Sequence, residues 1–161
     1  MTENTWLELG WLQNARTLLQ WVQGLEHEKR VILFVRHSHR LHSDNPHDLL
    51  HMQLTTLGHE MAREFGRQLP DRGTLEIFYS NHPRCVETAE GILEGYRSNN
   101  QPAVMLGEIR DLLGPKVHTN IGKELDKFGI DGFINRWAKG AFPLSQLETL
   151  EEYGARLWKD I

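Results

Sequence analysis

Short apolar segments alternate with longer amphipathic segments along this 161-residue chain. The apolar segments lie at 31–35, 75–79 and 102–106, and the first is rich in β-branched residues and has no polar position. Such runs predict buried strands, and the amphipathic segments between them predict helices. Strands that alternate with helices are typical of a parallel sheet covered on both faces. The sequence therefore predicts the α/β class, as a three-layer α/β/α sandwich with a mostly parallel sheet.

The predicted helices are bounded by capping residues and prolines. The first is an amphipathic helix over 5–27, and the second is capped by Thr55 or Thr56 and ended by Pro70. The third is capped by Ser80 or Asn81 and has Pro83 in its first turn. Two short helices follow at 121–128 and 130–138 around Gly129, and a Ser145–Glu148 capping box opens the last helix. The chain ends where a further strand is expected. We therefore interpret 1–161 as a single, C-terminally incomplete domain with an N-terminal helix extension at 1–28.

Charge, hydropathy and cysteine content narrow the class of partner. Lys and Arg number 18 against 22 Asp and Glu, with no long basic run, so we expect no nucleic-acid partner. The longest apolar run, at 31–35, is far too short to cross a membrane, and we expect no membrane partner. The single cysteine, Cys85, cannot form an internal disulfide, which favours a reducing compartment and cytoplasmic localisation.

Chemically reactive side chains follow each of the three predicted strands. Arg36 and His37 follow the first, Arg84 lies at the start of the helix after the second, and Glu108 lies just beyond the third. The carboxyl ends of parallel strands meet at one edge of a sheet, where ligands of open α/β folds bind. A helix N-terminus and the arginine fork both favour phosphate oxygens. The pattern predicts a phosphate pocket that contains His37, with Glu108 as a candidate general acid or base.

Four motifs in this order resemble those of the histidine phosphatase superfamily, which has the phosphoglycerate-mutase-like fold. They are Leu33–Ser38, similar to the family's R-H-G motif, Leu54–Gly58, similar to L-T-x-x-G, Phe78–Ala89, similar to S-x-x-x-R-x-x-x-T-A, and Leu106–Gly114, similar to the L-x-E segment of one branch. The resemblance covers 31–114, about half of the chain, and implies a phosphoglycerate-mutase-like sandwich.

The resemblance implies a phosphatase that hydrolyses a phosphomonoester through a phosphohistidine. His37 would be the nucleophile, Arg36 and Arg84 would hold the phosphoryl oxygens, and Glu108 would donate a proton to the leaving alcohol. No metal or organic cofactor is needed for this reaction. The expected substrate is a phosphorylated small molecule or a phosphoprotein.

The polar loop after His37 supplies three candidate substrate-binding residues, Arg40, Ser43 and Asn45. Six of the nine histidines lie from His37 to His59, but without the spacing of a metal-ligand motif, so no metal site is predicted. An unpaired sheet edge at the end of the chain would favour a homo-oligomer.

Departures from the family pattern leave other interpretations open. Ser38 stands where the motif usually has glycine, and Arg40 is similar to the acid-phosphatase branch, so the branch and the role of Glu108 stay open. The family's second pocket histidine has no counterpart after His118. The alternative is therefore a catalytically impaired phosphate-binding or protein-interaction module with the same fold.

Overall fold

A computed structural model of the chain describes residues 3–43, 48, 51–109 and 114–160. The chain divides into two compact units, Met1–Glu108 and Ile109–Ile161. Within the described ranges, no helix is both long and apolar enough to cross a membrane.

The first unit combines helices with a small parallel sheet, which confirms the predicted α/β class. Its elements are α1 (Glu3–Glu8), a 3₁₀ turn (Gly10–Leu12), α2 (Gln13–Gln23), α3 (Thr56–Gln68), β1 (Leu75–Tyr79), α4 (Pro83–Arg97) and β2 (Ala103–Glu108). Strands β1 and β2 pair in parallel, and α4 connects them.

An irregularity in β2 sets the position of its last residue. The register pairs Ile77 with Met105 but Phe78 with Gly107, so β2 carries one extra residue at this point. Gly107 has a φ of 132°, a conformation that favours glycine. A bulge of this kind re-aims the residues that follow it. It brings Glu108 level with Tyr79, at the carboxyl ends of both strands.

The strand predicted at 31–35 is wrong. The structure assigns no strand there, and among the described residues the sheet has only β1 and β2. Leu33 packs against the core, while Phe34 and Val35 are 61% and 46% exposed. The apolar run correctly indicated contact with the core, but apolarity does not specify a strand partner. A strand without a hydrogen-bonded neighbour is not stable.

Helices α3 and α4 pack with their backbones in direct contact. A Cβ at Gly66 would lie 2.1 Å from the carbonyl oxygen of Ile92, and a Cβ at Gly95 would lie 1.9 Å from that of Arg63. These distances are well inside van der Waals contact, so only glycine fits at either position. The two helices also supply much of the core of this unit, which consists of Trp6, Leu12, Leu19, Met61, Phe65, Leu69, Ile92, Tyr96 and Ala103.

The continuous helix predicted over 5–27 is wrong. Its first turns form α1, and Leu9 then leaves the helical region with φ −72° and ψ 109°. The Arg16 guanidinium fixes this corner by donating to the carbonyl oxygens of Trp6 at 2.7 Å and Leu9 at 3.1 Å. The break turns α1 so that the buried Trp6 side chain joins the core. Amphipathic periodicity continues through such a corner, so the sequence pattern does not predict the break.

The segment between α2 and the residues at 31–38 is held by one arginine. The Arg72 guanidinium donates to the carbonyl oxygens of Leu25 at 3.2 Å, His27 at 3.2 Å and Lys29 at 2.9 Å, and also to that of Glu26. Because Arg72 lies just after α3, these bonds tie the end of the N-terminal helices to the rest of the unit.

The predicted caps are correct for one helix and wrong for the other. The Thr55 hydroxyl caps α3 by accepting from the Gly58 amide at 3.0 Å, as predicted. Helix α4 instead begins at Pro83, after His82, whose side chain makes no capping hydrogen bond. Neither Ser80 nor Asn81 is the cap. The proline fits because its fixed φ suits the first helical position.

The second unit contains α5 (Gly122–Ala138) and α6 (Leu150–Asp160). Gly129 interrupts α5 with φ 65° and ψ 175°, in agreement with the two short helices predicted around it. The capping box predicted at Ser145–Glu148 is wrong. Thr149 and Glu152 form the reciprocal box, with Glu152 accepting from the Thr149 amide and Thr149 accepting from the Glu152 amide, both at 3.1 Å.

Glu148 has a different part in the second unit, as the centre of a buried ion pair. Arg156 binds it through two nitrogens, at 2.9 and 2.7 Å, and the Lys116 amide donates to it at 2.9 Å. Hydrogen bonding from Arg156 holds the pKa of Glu148 below its ordinary value. The Trp137 indole donates to the Glu148 carbonyl at 2.6 Å. The pair therefore joins the segments at 116 and 148 to both helices of the unit.

The α3–α4 contact predicts that Gly95→Ala destabilises the protein. The added Cβ meets the Arg63 carbonyl, and overpacking of this kind costs about 1–3 kcal/mol. Urea unfolding followed by circular dichroism measures the change.

Gly154→Ala is the matched control, since Gly154 lies within α6 and a Cβ there meets nothing within 4 Å. We expect this variant to be unchanged or more stable, by up to about 1 kcal/mol, because alanine favours helix. Equal stability of Gly95→Ala and the unsubstituted chain would contradict the close helix contact.

Candidate active site

The segment that carries Arg36, His37 and Arg40 is held by backbone bonds to the start of α3. The Leu41 amide donates to the Gln53 carbonyl at 2.9 Å, and the Thr55 amide donates to the His39 carbonyl at 3.0 Å. A Cβ at Gly58 would lie 1.9 Å from the His39 carbonyl oxygen, so this approach also requires glycine. The L-T-x-x-G motif therefore positions the histidine segment as well as starting a helix.

A hydrogen-bond chain joins the same segment to the start of α4. The Ser38 amide donates to the Thr88 hydroxyl at 3.0 Å, and that hydroxyl donates to the Arg84 carbonyl at 2.6 Å. Thr88 is buried, so both bonds are shielded from water. The residue after His37 is thus fixed against the helical turn that begins with Arg84.

One ring nitrogen of His37 is engaged with the backbone. Nδ1 lies 2.8 Å from the Ser38 carbonyl oxygen. A carbonyl oxygen can only accept, so Nδ1 carries the hydrogen in the neutral ring. The lone pair of the neutral ring is therefore on Nε2, the nitrogen that a nucleophilic role requires.

The charges that affect the pKa of His37 are those of three arginines. Burial has the largest effect and lowers this pKa from its ordinary value, the Ser38 hydrogen bond raises it, and the positive charges of Arg84, Arg36 and Arg40 each lower it further. Burial likewise lowers the pKa of Arg84, and the charges of Arg40 and Arg36 add to that effect. The three arginines repel one another, so a bound anion would stabilise the whole cluster.

Four of the predicted site residues therefore come together, namely Arg36, His37, Arg40 and Arg84. Arg40 is in addition fixed by donating to the Leu41 carbonyl at 2.8 Å.

The described structure shows Ser43 in a contact of its own. The Ser43 hydroxyl donates to Asp48 at 2.7 Å in an exposed part of the loop. Asn45 lies outside the described residues.

Glu108 lies at the sheet edge from which the chain continues to Arg84. It is exposed and is paired in register with Tyr79, four residues before the start of α4. The structure thus places Glu108 at the predicted edge of the sheet.

A cavity of about 720 Å³ opens beside His37. The segment from Phe34 to His42 forms one wall, and residues of α1, α2, α3 and α4 form the others. Arg36, His37 and Arg40 line it, but among the described residues on its walls neither Arg84 nor Glu108 occurs. The cluster of positive charge therefore borders a cavity of the size that small-molecule ligands occupy.

Two features of the site go beyond the sequence prediction. Thr88 belongs to the S-x-x-x-R-x-x-x-T-A motif, and in the structure its hydroxyl links Ser38 to Arg84. Trp11 is predicted only as part of a helix face, but it lines the cavity and its ring lies 5.8 Å from that of His39. The position of Thr88, four residues after Arg84, is a sequence signal that could have found the first; no sequence signal indicates the second.

Metal ligands are not clustered in the part of the chain that the structure describes. No group of three His, Cys, Asp or Glu side chains has the arrangement of a metal site there.

The parallel sheet and the histidine among arginines describe an α/β protein with a cluster of positive charge. The sequence model of the histidine phosphatase superfamily (branch 1) matches residues 32–159, most of the chain. No curated protein and no solved structure matches the chain. The chain belongs to the histidine phosphatase superfamily. The resemblance of the motifs at 31–114 is thereby confirmed and extended, and membership supports a phosphatase-type function in general.

The charge cluster predicts that His37 titrates below its ordinary pKa of 6.5. Replacing Arg84 by glutamine removes one of the positive charges, so the pKa should rise but stay below 6.5 because His37 is still buried. Proton NMR of the imidazole over a pH series measures both values.

Burial and the neighbouring positive charges both disfavour the protonated imidazole of His37. A lowered histidine pKa means that the neutral ring persists to more acidic pH than in an unfolded chain. A His37 pKa at or above 6.5, or a decrease in the Arg84→Gln variant, would contradict the described electrostatics.

Proposed function

We propose that the protein hydrolyses a phosphomonoester through a phosphohistidine on Nε2 of His37. The observation that supports this is the state of the ring: Nδ1 donates to the Ser38 carbonyl, and burial together with the charges of three arginines lowers the pKa of His37. A neutral imidazole with a lone pair in a positively charged site suits attack on a phosphate dianion.

In the first step the Nε2 lone pair forms a bond to phosphorus as the bond from phosphorus to the alcohol oxygen breaks. Arg36 and Arg84 bind the phosphoryl oxygens and stabilise their charge in the transition state. The alcohol leaves with a proton from Glu108, whose position at the sheet edge supports this role. Arg40 contributes to substrate binding, which its place on the cavity wall supports.

In the second step a water molecule attacks phosphorus and the bond to Nε2 breaks. The Glu108 carboxylate takes the proton of that water, and inorganic phosphate leaves. The residues return to their starting protonation states, and the reaction requires no metal or organic cofactor. We propose a phosphorylated small molecule or a phosphoprotein as substrate, and the cytoplasm as the location.

Trapping of the phosphoenzyme tests the proposal. The protein is mixed with p-nitrophenyl phosphate, quenched in alkali, and mapped by mass spectrometry for acid-labile phosphate. We expect phosphate on His37 in the unsubstituted protein. In His37→Ala we expect no labelling, and a release of nitrophenolate that is lower by at least about 100-fold.

His51→Ala is the matched control, since His51 is an exposed histidine of the same polar loop. We expect its labelling on His37 to equal that of the unsubstituted protein. A different result would overturn hydrolysis and favour the phosphate-binding alternative. In that case inorganic phosphate binds, its affinity decreases when Arg36 or Arg84 is replaced, and His37 is never labelled.

A further inference from the structure

The cavity beside His37 is lined by two chemically different sets of residues. Arg36, His37 and Arg40 form a charged set, while Trp11, Leu18 and Phe65 belong to an apolar remainder. An arginine-lined end recognises a phosphoryl group. The apolar remainder has room for a much larger group, since about 720 Å³ is well within the range of drug-sized ligands.

Part of the apolar lining comes from residues outside the family match. The match begins at residue 32, whereas α1 and α2 precede it. The 3₁₀ turn between them contributes Trp11 to the cavity, and α2 contributes Leu18. They are firmly placed there, because Trp6 is only 5% exposed and Arg16 locks the corner between the two helices.

Few polar groups on this side could satisfy a polar substrate. Outside the segment 36–42, the polar side-chain groups of the residues that line the cavity are those of Asn14 and Thr88 and the indole N–H groups of Trp6 and Trp11. The Thr88 hydroxyl is already bonded to the Ser38 amide and the Arg84 carbonyl. Hydroxyl groups of a sugar would therefore lose their bonds to water and gain few in return.

Apolar surface at the cavity is still open to solvent. Trp11 is 49% exposed, and Phe34, on the facing segment, is 61% exposed. A ligand that covers these side chains gains the free energy of apolar burial. The Trp11 ring also lies 5.8 Å from that of His39, in the segment that carries the charged residues.

We propose that the N-terminal helices make this site selective for phosphomonoesters whose alcohol is bulky and apolar, such as an aryl or an extended alkyl group. This inference rests on the proposed function, which places the phosphoryl group of the substrate at His37. Trp11 is the principal specificity-determining residue, because it borders the charged end and is supplied by the N-terminal helices.

Binding of two phosphonates tests this without turnover. Methylphosphonate and hexylphosphonate have the same charged group and differ only in the apolar chain, and neither contains the bond that the enzyme would break. We expect calorimetry to show hexylphosphonate binding at least about tenfold more tightly, since each buried methylene adds to affinity. Inorganic phosphate should displace both.

Two tryptophan variants locate the effect. Trp11→Ala should reduce the preference for hexylphosphonate by about fivefold or more while leaving the affinity for methylphosphonate unchanged. Trp21→Ala is the matched control, because Trp21 is 57% exposed on α2 and does not line the cavity. Its preference should equal that of the unsubstituted protein.

Equal affinities for the two phosphonates would overturn the proposal, as would a preference that persists unchanged in Trp11→Ala. Hexanol binding as tightly as hexylphosphonate would also overturn it, since the charged end would then contribute nothing. Phosphorylation of His37 is measured separately. If His37 is labelled and the two phosphonates bind equally, only the apolar selectivity is refuted. If hexylphosphonate is preferred but His37 is not labelled, only the hydrolysis is refuted.

Discussion

Close backbone contact between α3 and α4 is the constraint on which the first unit depends. Gly66 and Gly95 allow the two helices to touch, and Gly58 allows the His39 carbonyl to reach the start of α3. Each position would place a Cβ within about 2 Å of a carbonyl oxygen. The beginning of α4, with Arg84 and Thr88, is thereby held beside the segment that carries His37.

The electrostatics of the site follow from this arrangement. Arginines from two separate segments converge on one half-buried histidine, and their repulsion favours both a neutral imidazole and a bound anion. The Ser38 carbonyl selects which nitrogen holds the hydrogen. The tautomer, the lowered pKa and the neighbouring positive charges thus occur at the same residue, and they support the proposed phosphoryl transfer to His37.

The sequence predicted the elements that local patterns specify. Strand β1 at 75–79, the Thr55 cap and the interruption at Gly129 were confirmed, and so was the family. The candidate residues around His37 follow from the chemistry of histidine and arginine and from the family motifs, although the strand predicted before them is absent from the structure.

Long-range contacts were the part that the sequence could not specify. The run at 31–35 is apolar, but whether it pairs in a sheet depends on partners elsewhere. The corner at Leu9 depends on Arg16 reaching two carbonyl groups, and Glu148 is engaged by Arg156 instead of capping a helix. The apolar part of the cavity arises where the N-terminal helices pack onto the core, and the hydrophobic periodicity of the sequence does not predict this packing.

The tautomer of His37 is the most direct test of the account. Nitrogen-15 NMR of the imidazole at pH 7 distinguishes the two ring nitrogens. The account predicts a neutral ring with hydrogen on Nδ1 and an unprotonated Nε2. A ring protonated on Nε2, or a doubly protonated imidazolium at this pH, would contradict it.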